Sequence, residues 1–358
     1  MSLQIARRVF DIEVPDAVLA QRVQFKFDNK TKPVKSLGEV EALAVQIATI
    51  QNTLTPVLRN PRLYVFAADH GVCDEGVSAF PQEVTQQMVA NFLAGGAAAN
   101  VLARQHSINM YVVDAGVKAE LEPATGLIDQ KLSPGTQNFA RGLAMPLAHV
   151  IAAIDAGAHV VDGAREALCN VVLLGEMGIG NTTSAAALTH LITGVELSRC
   201  VGAGTGLDHK GLIRKAAVIE RALAVNRELL NIADLDPYTM LSVFGGYEIA
   251  MMVGAYLQAA QHRMVIVVDG FIATAALAVA CLLNSRVLHY CIFSHGSAEQ
   301  GHGLLLNHLG RTPLLNLAMR LGEGSGSAIA YPLLVSALSL LNEMASFGEA
   351  GVSERSIR

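Results

Sequence analysis

Five short runs of apolar residues recur between residues 61 and 303, and this pattern constrains the fold more than any other feature of the sequence. Runs without polar alternation are typical of strands that are buried on both faces of a sheet. A helical stretch follows each run, and strands that alternate with helices indicate βαβ units. The sequence therefore predicts an α/β fold with a parallel, Rossmann-like sheet flanked by helices. The five runs are Leu63–Ala67, Met110–Val113, Val171–Leu174, Met264–Val268 and Leu288–Phe293.

A polar or glycine-rich cluster stands at the end of each predicted strand. In parallel α/β sheets, ligands bind beyond the carboxyl ends of the strands. The clusters are therefore expected to meet at one edge of the sheet, and this edge is the predicted active site. In chain order the clusters read AADHG, DAG, GEMGIGNTT, DGF and SHGSAEQGH.

The two ends of the chain have helical sequence patterns instead of strand runs. Residues 1–60 lack strand runs, and Val40–Ile50 carries apolar residues at helical spacing. From about Gly303 the pattern is helical again. We predict that residues 1–60 and 304–358 pack together as a smaller helical lobe, and that residues 61–303 form a large α/β substrate-binding domain.

Composition narrows the class of protein. Hydrophobic residues make up 52% of the 358 residues, which is enough for a large core. The net charge is −5, aromatic residues are 5% and there is no tryptophan, so a nucleic-acid partner is not expected. The most apolar windows, Leu241–Ala260 and Gly326–Ala345, are interrupted by Glu248 and by Pro332 and Glu343. We interpret them as buried helices and expect no membrane partner.

The cysteines indicate a reducing compartment. There are five of them, an odd number, and no CxxC pair occurs, so neither a disulfide framework nor a zinc site is predicted. The first sixteen residues contain no apolar core of signal-peptide length. We expect reduced thiols in a cytoplasmic protein. The cysteines are Cys73, Cys169, Cys200, Cys281 and Cys291.

The segment Gly175–Thr183, GEMGIGNTT, is the first candidate for binding chemistry. It follows a predicted strand, its glycines allow a ligand to approach the backbone, and the free N–H groups of a helix start attract phosphate. The alternative is an ordinary strand–helix turn with a threonine N-cap. Glu176 within the segment favours a ligand, because a carboxylate beside a phosphate cradle needs a positive or donor-rich group nearby.

The segment Gly202–Asp208, GAGTGLD, is a weaker candidate. Its spacing is GxGxG rather than the GxGxxG of a dinucleotide site, and no clear strand precedes it. Arg214 and Lys215 supply cations on the helix that follows. The alternative is that both cations lie on a solvated helix face, as most do.

A single acid stands among glycines in Leu321–Ser327, LGEGSGS, just before an apolar helix. A partly desolvated carboxylate in this setting can act as a general base near neutral pH, and Glu323 is the candidate. The alternative is a surface turn whose acid interacts with the positive end of the helix dipole.

Other chemistries are less well supported. Asp69 and His70 end a predicted strand, and Glu299 lies between His295 and His302, but none of these has the spacing of a metal site. No GxSxG elbow is present for a serine hydrolase. We therefore predict no metal.

Taken together, these segments resemble the nicotinate-nucleotide–dimethylbenzimidazole phosphoribosyltransferase family. Ten segments occur in the family's order from near one end of the chain to near the other, which makes the resemblance highly specific. They are AADHGV, EGVSAFPQEVTQQMVANFLAGGAAANVLAR, VVDAGV, GTQNFARG, GEMGIGNTTSAAAL, VGAGTGLD, GGYEIAMMVGAY, VDGFI, FSHGSAEQGH and MRLGEGSGSAIAYPLL.

The resemblance implies a two-lobed homodimer, no cofactor, and two small-molecule substrates, nicotinate mononucleotide and a benzimidazole-type base. It implies that Glu323 is the general base and that Glu176 serves the mononucleotide side, and we predict both as catalytic residues. The implied base-binding residues are Ser78, Phe80, Gln86, Met177 and Leu321. The candidate phosphoribosyl-binding residues are Gly178, Gly180, Asn181, Thr182, Gly204, Lys215, Asp269 and Ser294.

The implied reaction moves a phosphoribosyl group from nicotinate mononucleotide to 5,6-dimethylbenzimidazole or a related base, with inversion at the anomeric carbon. It yields α-ribazole 5′-phosphate for assembly of the cobalamin nucleotide loop. Three alternatives remain open from the sequence. They are a non-catalytic nucleotide-binding subunit of the same fold, a nicotinamide-dependent oxidoreductase and an integral membrane protein.

Overall fold

The computed structural model describes residues 6–204, 206–231 and 235–353, and six strands in these ranges form one parallel sheet. The strands are β1 (Arg62–Ala68), β2 (Asn109–Gly116), β3 (Leu127–Asp129), β4 (Val171–Met177), β5 (Val265–Val268) and β6 (Cys291–Phe293). The helices are α1 (Ala17–Asp28), α2 (Glu39–Ile50), α3 (Val84–Leu93), α4 (Ala98–Gln105), α5 (Leu147–Glu166), α6 (Asn181–Thr193), α7 (Leu197–Cys200), α8 (His209–Val225), α9 (Arg227–Leu230), α10 (Pro237–Phe244), α11 (Tyr247–Gln261), α12 (Phe271–Leu283), α13 (Gln300–Leu309), α14 (Ser325–Glu343) and α15 (Phe347–Ala350). Two 3-10 helices span Gly71–Glu75 and Ser285–Tyr290.

The strand order is β3-β2-β1-β4-β5-β6, and every pair is parallel. The strands β2 and β3 therefore lie to one side of β1 within the sheet, and β4, β5 and β6 lie to its other side. The strand order reverses between β1 and β4. Ligands of doubly wound sheets bind at such a switch point, outside the carboxyl ends of the two strands. Phe66 of β1 is in register with Glu176 of β4, which places Glu176 at this point.

The apolar runs correctly predict the parallel α/β class and the central strands. The residues of β4 are all buried, as expected for a strand with helices on both faces. The sequence predicts one strand over Leu288–Phe293, but only the second half of this run is strand. Its first half lies in the 3-10 helix, where the side chain of Asn284 accepts the N–H of Arg286. The edge strand β3 is not predicted, because its three residues are only partly buried.

The most apolar stretches of the chain form helices that are largely buried in the protein. The window Leu241–Ala260 is divided between α10 and α11, and α11 is buried from Tyr247 to Ala260. By length and composition alone, α5 and α14 could each span a membrane, but 56% of each apolar window is buried inside the protein. Helix α5 packs on α11 at backbone contact, since a Cβ at Gly157 would lie 1.8 Å from the Met251 carbonyl oxygen. These helices are therefore core helices of the fold.

The two chain ends contact each other through backbone hydrogen bonds. The N–H of Thr31 donates to Ala345 O at 3.1 Å, and the N–H of Phe347 donates to Asn29 O at 3.1 Å. Helix α2 begins at Glu39, one residue before the predicted segment, and packs against α14. Residue 304 lies within α13, and the division into two lobes at this residue stays a prediction.

Candidate active site

Glu176 lies near the end of β4, and its side chain is buried. Asn181, the first residue of α6, donates a hydrogen bond from Nδ2 to Glu176 Oε2. The N-cap of α6 is Gly180 with φ 99°, so Thr182 is the second helical residue and not the cap. The start of a helix carries unpaired N–H groups that favour an anion. Glu176 and the start of α6 therefore lie together at the switch point.

Glu323 lies in a tight loop directly before α14. Its φ is 63°, and the flanking Gly322 and Gly324 have φ values of 80° and 76°. A non-glycine residue in this left-handed region costs on the order of 1–3 kcal/mol, so the surrounding structure must hold Glu323 in this conformation. Asp269 stabilises the loop, because its Oδ2 accepts the N–H of Gly324 at 3.0 Å and its Oδ1 accepts that of Ser327 at 3.0 Å.

Glycine brings the two acidic segments into backbone contact. A Cβ at Gly175 in β4 would lie 2.4 Å from the backbone nitrogen of Gly324, closer than real Cβ contacts allow. A Cβ at Gly322 would lie 2.5 Å from Glu176 Oε1. The Glu323 loop therefore lies directly on the end of β4, and Glu176 and Glu323 belong to one site.

Both acids hold their protons more tightly than ordinary glutamates. Burial and the charges of Asp269, Glu248 and Glu323 together raise the pKa of Glu176 to about 8, although the Asn181 hydrogen bond opposes this shift. Burial and the charge of Asp269 raise the pKa of Glu323 to about 7. A carboxylate with a pKa near neutrality is suited to accept a proton in catalysis.

A cavity of about 570 Å³ opens over these acids at the carboxyl ends of the strands. One part of its wall is apolar and the rest is polar. The apolar side chains are Phe80, Val84, Met88, Met177, Ile179, Phe271, Ile272 and Leu321. The polar side chains are Glu176, Asn181, Thr182, His295, Ser297, Glu299, Arg320 and Glu323, and glycine backbone at residues 178, 204, 270 and 322 completes the wall.

Two cations lie on either side of Gly204. Lys215 is fully buried behind the wall and donates from Nζ to Thr182 Oγ1 at 2.7 Å and to Gly202 O at 3.4 Å. Burial lowers the pKa of Lys215 to about 8, although the charge of Glu299 opposes the shift. Arg320 lines the cavity and donates from Nη1 to Gly204 O at 2.8 Å. This side of the cavity therefore carries two basic side chains, Lys215 and Arg320.

Most of the predicted site residues line this cavity. The lining residues among them are Phe80, Glu176, Met177, Gly178, Asn181, Thr182, Gly204, Leu321 and Glu323. Lys215, Asp269, Ser294 and Gly180 stand behind the wall. Ser294, for example, is buried with its Oγ 3.1 Å from His295 Nδ1. The roles of all these residues stay predictions.

Two of the predicted base-binding residues do not line the cavity. Ser78 is half-buried in the loop after the first 3-10 helix, and its Oγ accepts the N–H of Phe80 at 3.1 Å. Gln86 is exposed on α3, the helix that supplies Val84 and Met88 to the apolar wall. Their contact with a base stays a prediction. Thr205, in the GAGTGLD segment, lies outside the described residues.

Sequence reasoning gave no individual role to His295, Ser297, Glu299 or Arg320, although the first three lie in the SHGSAEQGH cluster that it placed at the active-site edge. Arg320 stands immediately before the LGEG segment, which is the only sequence signal for it. Within residues 6–204, 206–231 and 235–353, no group of three or more His, Cys, Asp or Glu side chains is placed to hold a metal ion. His302 accepts the N–H of Ser297 at Nδ1, at 2.8 Å, and burial lowers its pKa to about 3. It is therefore a neutral structural histidine.

A cavity at the switch point of a parallel sheet, with two buried acids between an apolar wall and two cations, defines an α/β enzyme that acts on small molecules. A sequence model described as Phosphoribosyltransferase matches residues 12–352. The chain belongs to this phosphoribosyltransferase family.

Similar proteins agree along nearly their whole length. The nicotinate-nucleotide–dimethylbenzimidazole phosphoribosyltransferase of Cupriavidus necator is 54% identical, over 95% of this chain and 97% of the relative. The protein of the same name from Dechloromonas aromatica is 52% identical, over 97% and 99%. The crystal structure of such an enzyme from Thermus thermophilus has a TM-score of 0.89 and 39% identity, over 95% of this chain and 100% of that one.

Proposed function

We propose that this chain transfers the 5-phosphoribosyl group of nicotinate mononucleotide to 5,6-dimethylbenzimidazole or a related base. The products are α-ribazole 5′-phosphate and nicotinate, and the reaction serves cobalamin nucleotide-loop assembly. The observation that carries the proposal is Glu323, a base with a pKa of about 7 in a loop held over the cavity. Family membership and relatives of that name support it.

The chemistry follows from the substrate. The nicotinate ring nitrogen is positively charged while bonded to the anomeric carbon, so its departure with the bonding electrons neutralises it and needs no acid. One benzimidazole nitrogen forms the new bond from the opposite face, which inverts the anomeric centre. The proton on the other nitrogen passes to Glu323. The protein holds both reactants in line and excludes water.

The proposed division of the cavity follows its walls. The apolar side, with Phe80, Met177 and Leu321, takes the base. The start of α6 and Gly204 take the 5′-phosphate, with Lys215 and Arg320 supplying positive charge. Glu176 lies between the two sides and, when ionised, stabilises the positive charge that develops near the anomeric carbon.

Nicotinate release, followed chromatographically with and without 5,6-dimethylbenzimidazole, tests the proposal. Release from wild type should depend on the base, and Glu323→Gln should lower the rate by roughly a hundredfold to ten-thousandfold. Glu343→Gln is the matched control, because it is an exposed glutamate at the far end of α14. A folded wild type that releases no nicotinate with any benzimidazole would instead support a non-catalytic nucleotide-binding subunit.

The assembly and location are part of the same proposal. We infer a homodimer in the cytoplasm, supported by the family resemblance and by five cysteines that are all unpaired. Light scattering on the purified protein tests the dimer, and cell fractionation tests the location.

A further inference from the structure

Glu299 is a buried acid that the proposed mechanism does not use. It precedes α13 and lines the cavity, and only 7% of it is exposed. Among the residues that the structure describes, none donates a hydrogen bond to its buried Oε2 atom. Buried acceptors are almost always paired, and Glu299 lines the cavity, so its unpaired carboxylate oxygen offers an acceptor to a donor that arrives with the ligand.

Two nearby protein donors have other acceptors. Lys215, whose charge acts on Glu299, directs its ammonium to Thr182 Oγ1 and Gly202 O. The N–H of Ser297 donates to His302 Nδ1 at 2.8 Å. Glu299 Oε2 lies against the Gly202 backbone, since a Cβ at Gly202 would lie 1.9 Å from this oxygen. Glu299 is therefore held beside the proposed phosphate side of the cavity, and no described residue donates a hydrogen bond to its Oε2 atom.

The chemistry of the substrate restricts what this acid can bind. Nicotinate mononucleotide carries two anionic groups, its phosphate and its ring carboxylate, and a carboxylate repels both. Its only neutral hydrogen-bond donors are the two ribose hydroxyls. Glu299 lies beside Lys215 and Gly202 rather than on the apolar wall. The ribose connects the 5′-phosphate to the reacting anomeric carbon. Glu299 therefore lies next to the expected position of the ribose.

We propose that Glu299 accepts a hydrogen bond from a ribose hydroxyl of the phosphoribosyl group and so selects ribose over deoxyribose substrates. The inference rests on the proposed function, because it takes the mononucleotide as the ligand. Glu299 is a binding residue in this assignment, and Glu323 keeps the proton transfer.

The test compares wild type with one variant, using the natural substrate and two deoxy analogues. Wild type and Glu299→Gln are assayed for kcat/KM with nicotinate mononucleotide and with its 2′-deoxy and 3′-deoxy analogues. The variant should lose on the order of fivefold to tenfold with the natural substrate, because the amide oxygen still accepts the hydrogen bond but carries no charge. With the analogue that lacks the contacted hydroxyl, wild type and variant should be equal. Glu166→Gln, an exposed glutamate at the end of α5, is the matched control.

Two outcomes would overturn the inference. One is an equal loss with all three substrates, which indicates a structural role for Glu299. The other is no loss with any of them. If Glu299→Gln folds poorly, Glu299→Asp replaces it, because the shorter side chain keeps the charge but withdraws it from the ribose, and the same substrate-dependent loss is expected. Absence of any base-dependent nicotinate release by wild type would contradict the proposed function itself, which is a different result.

Discussion

The Oδ1 atom of Asp269, just beyond β5, accepts a 3.0 Å hydrogen bond from the backbone N–H of Ser327 in the first turn of α14. Its other oxygen accepts the N–H of Gly324, also at 3.0 Å. The same carboxylate therefore holds the loop that carries Glu323 and raises the pKa of Glu323 by its charge. Asp269 therefore affects both the position of Glu323, the proposed base, and its pKa.

Asp269→Asn should move the acidic limb of the pH–rate profile to lower pH. The pKa of Glu323 is raised to about 7 first by burial and then by the Asp269 charge. Removing that charge lowers the pKa, so the ionised base persists at lower pH. The measurement is kcat/KM against pH, with Asp129→Asn at the exposed end of β3 as the control. A limb that stays in place or moves to higher pH would contradict this account.

Glu176→Gln should stabilise the protein at pH 8 relative to wild type. Burial raises the pKa of Glu176 from its ordinary 4.5 to about 8, so the folded state binds the proton more tightly than the unfolded state. Stability from this group is therefore complete below pH 4.5 and is lost as the pH rises through 8. The variant should gain about 2–5 kcal/mol in free energy of unfolding at pH 8 and little at pH 5.

Urea unfolding at the two pH values measures this difference. Glu343→Gln is the control, because its side chain is exposed and its effect should not change with pH. A Glu176→Gln protein whose stability relative to wild type is the same at both values would show that Glu176 is ionised in the folded state throughout.

Burial explains which parts of the fold the sequence predicts. The runs that form β1, β4 and β5 are recognisable because strands with both faces covered need apolar residues at every position. The edge strand β3 reads Leu-Ile-Asp and is only partly covered, so it leaves no such run. The short β6 owes its bounds to pairing with β5, and nothing in its own sequence separates it from the preceding 3-10 helix.

Only some of the site residues can be predicted from the sequence. Glu176 and Glu323 can be found because each stands among glycines beside a predicted element boundary. The individual roles of Glu299 and Arg320 cannot be found in this way, because Glu299 lies against Gly202 and Arg320 donates to Gly204 O, and both contacts join distant parts of the chain. The spacing of residues in the sequence does not predict a contact between positions about a hundred residues apart. These two contacts are seen only in the folded structure.

Gly175→Ala should reduce both stability and activity. Its Cβ would lie 2.4 Å from the nitrogen of Gly324, so β4 and the Glu323 loop must separate. We expect a loss of more than about 2 kcal/mol in the free energy of unfolding, as for other overpacked buried sites. Gly303→Ala in α13 is the matched control, since nothing lies within 4 Å of its Cβ and helix propensity favours alanine. Equal stability of the two variants in urea unfolding would contradict the close approach.

Lys215→Met should raise the KM for nicotinate mononucleotide by on the order of tenfold to a hundredfold, because it removes a buried positive charge beside the proposed phosphate site. With nicotinate riboside, which lacks the phosphate, wild type and variant should have the same KM. Burial lowers the pKa of Lys215 to about 8, so the wild-type KM for the mononucleotide should itself rise above that pH as the ammonium loses its proton. Lys210→Met, exposed on the same helix, is the control. An equal loss with the riboside would mean that Lys215 only supports Thr182 and the Gly202 backbone, and that the phosphate is held without it.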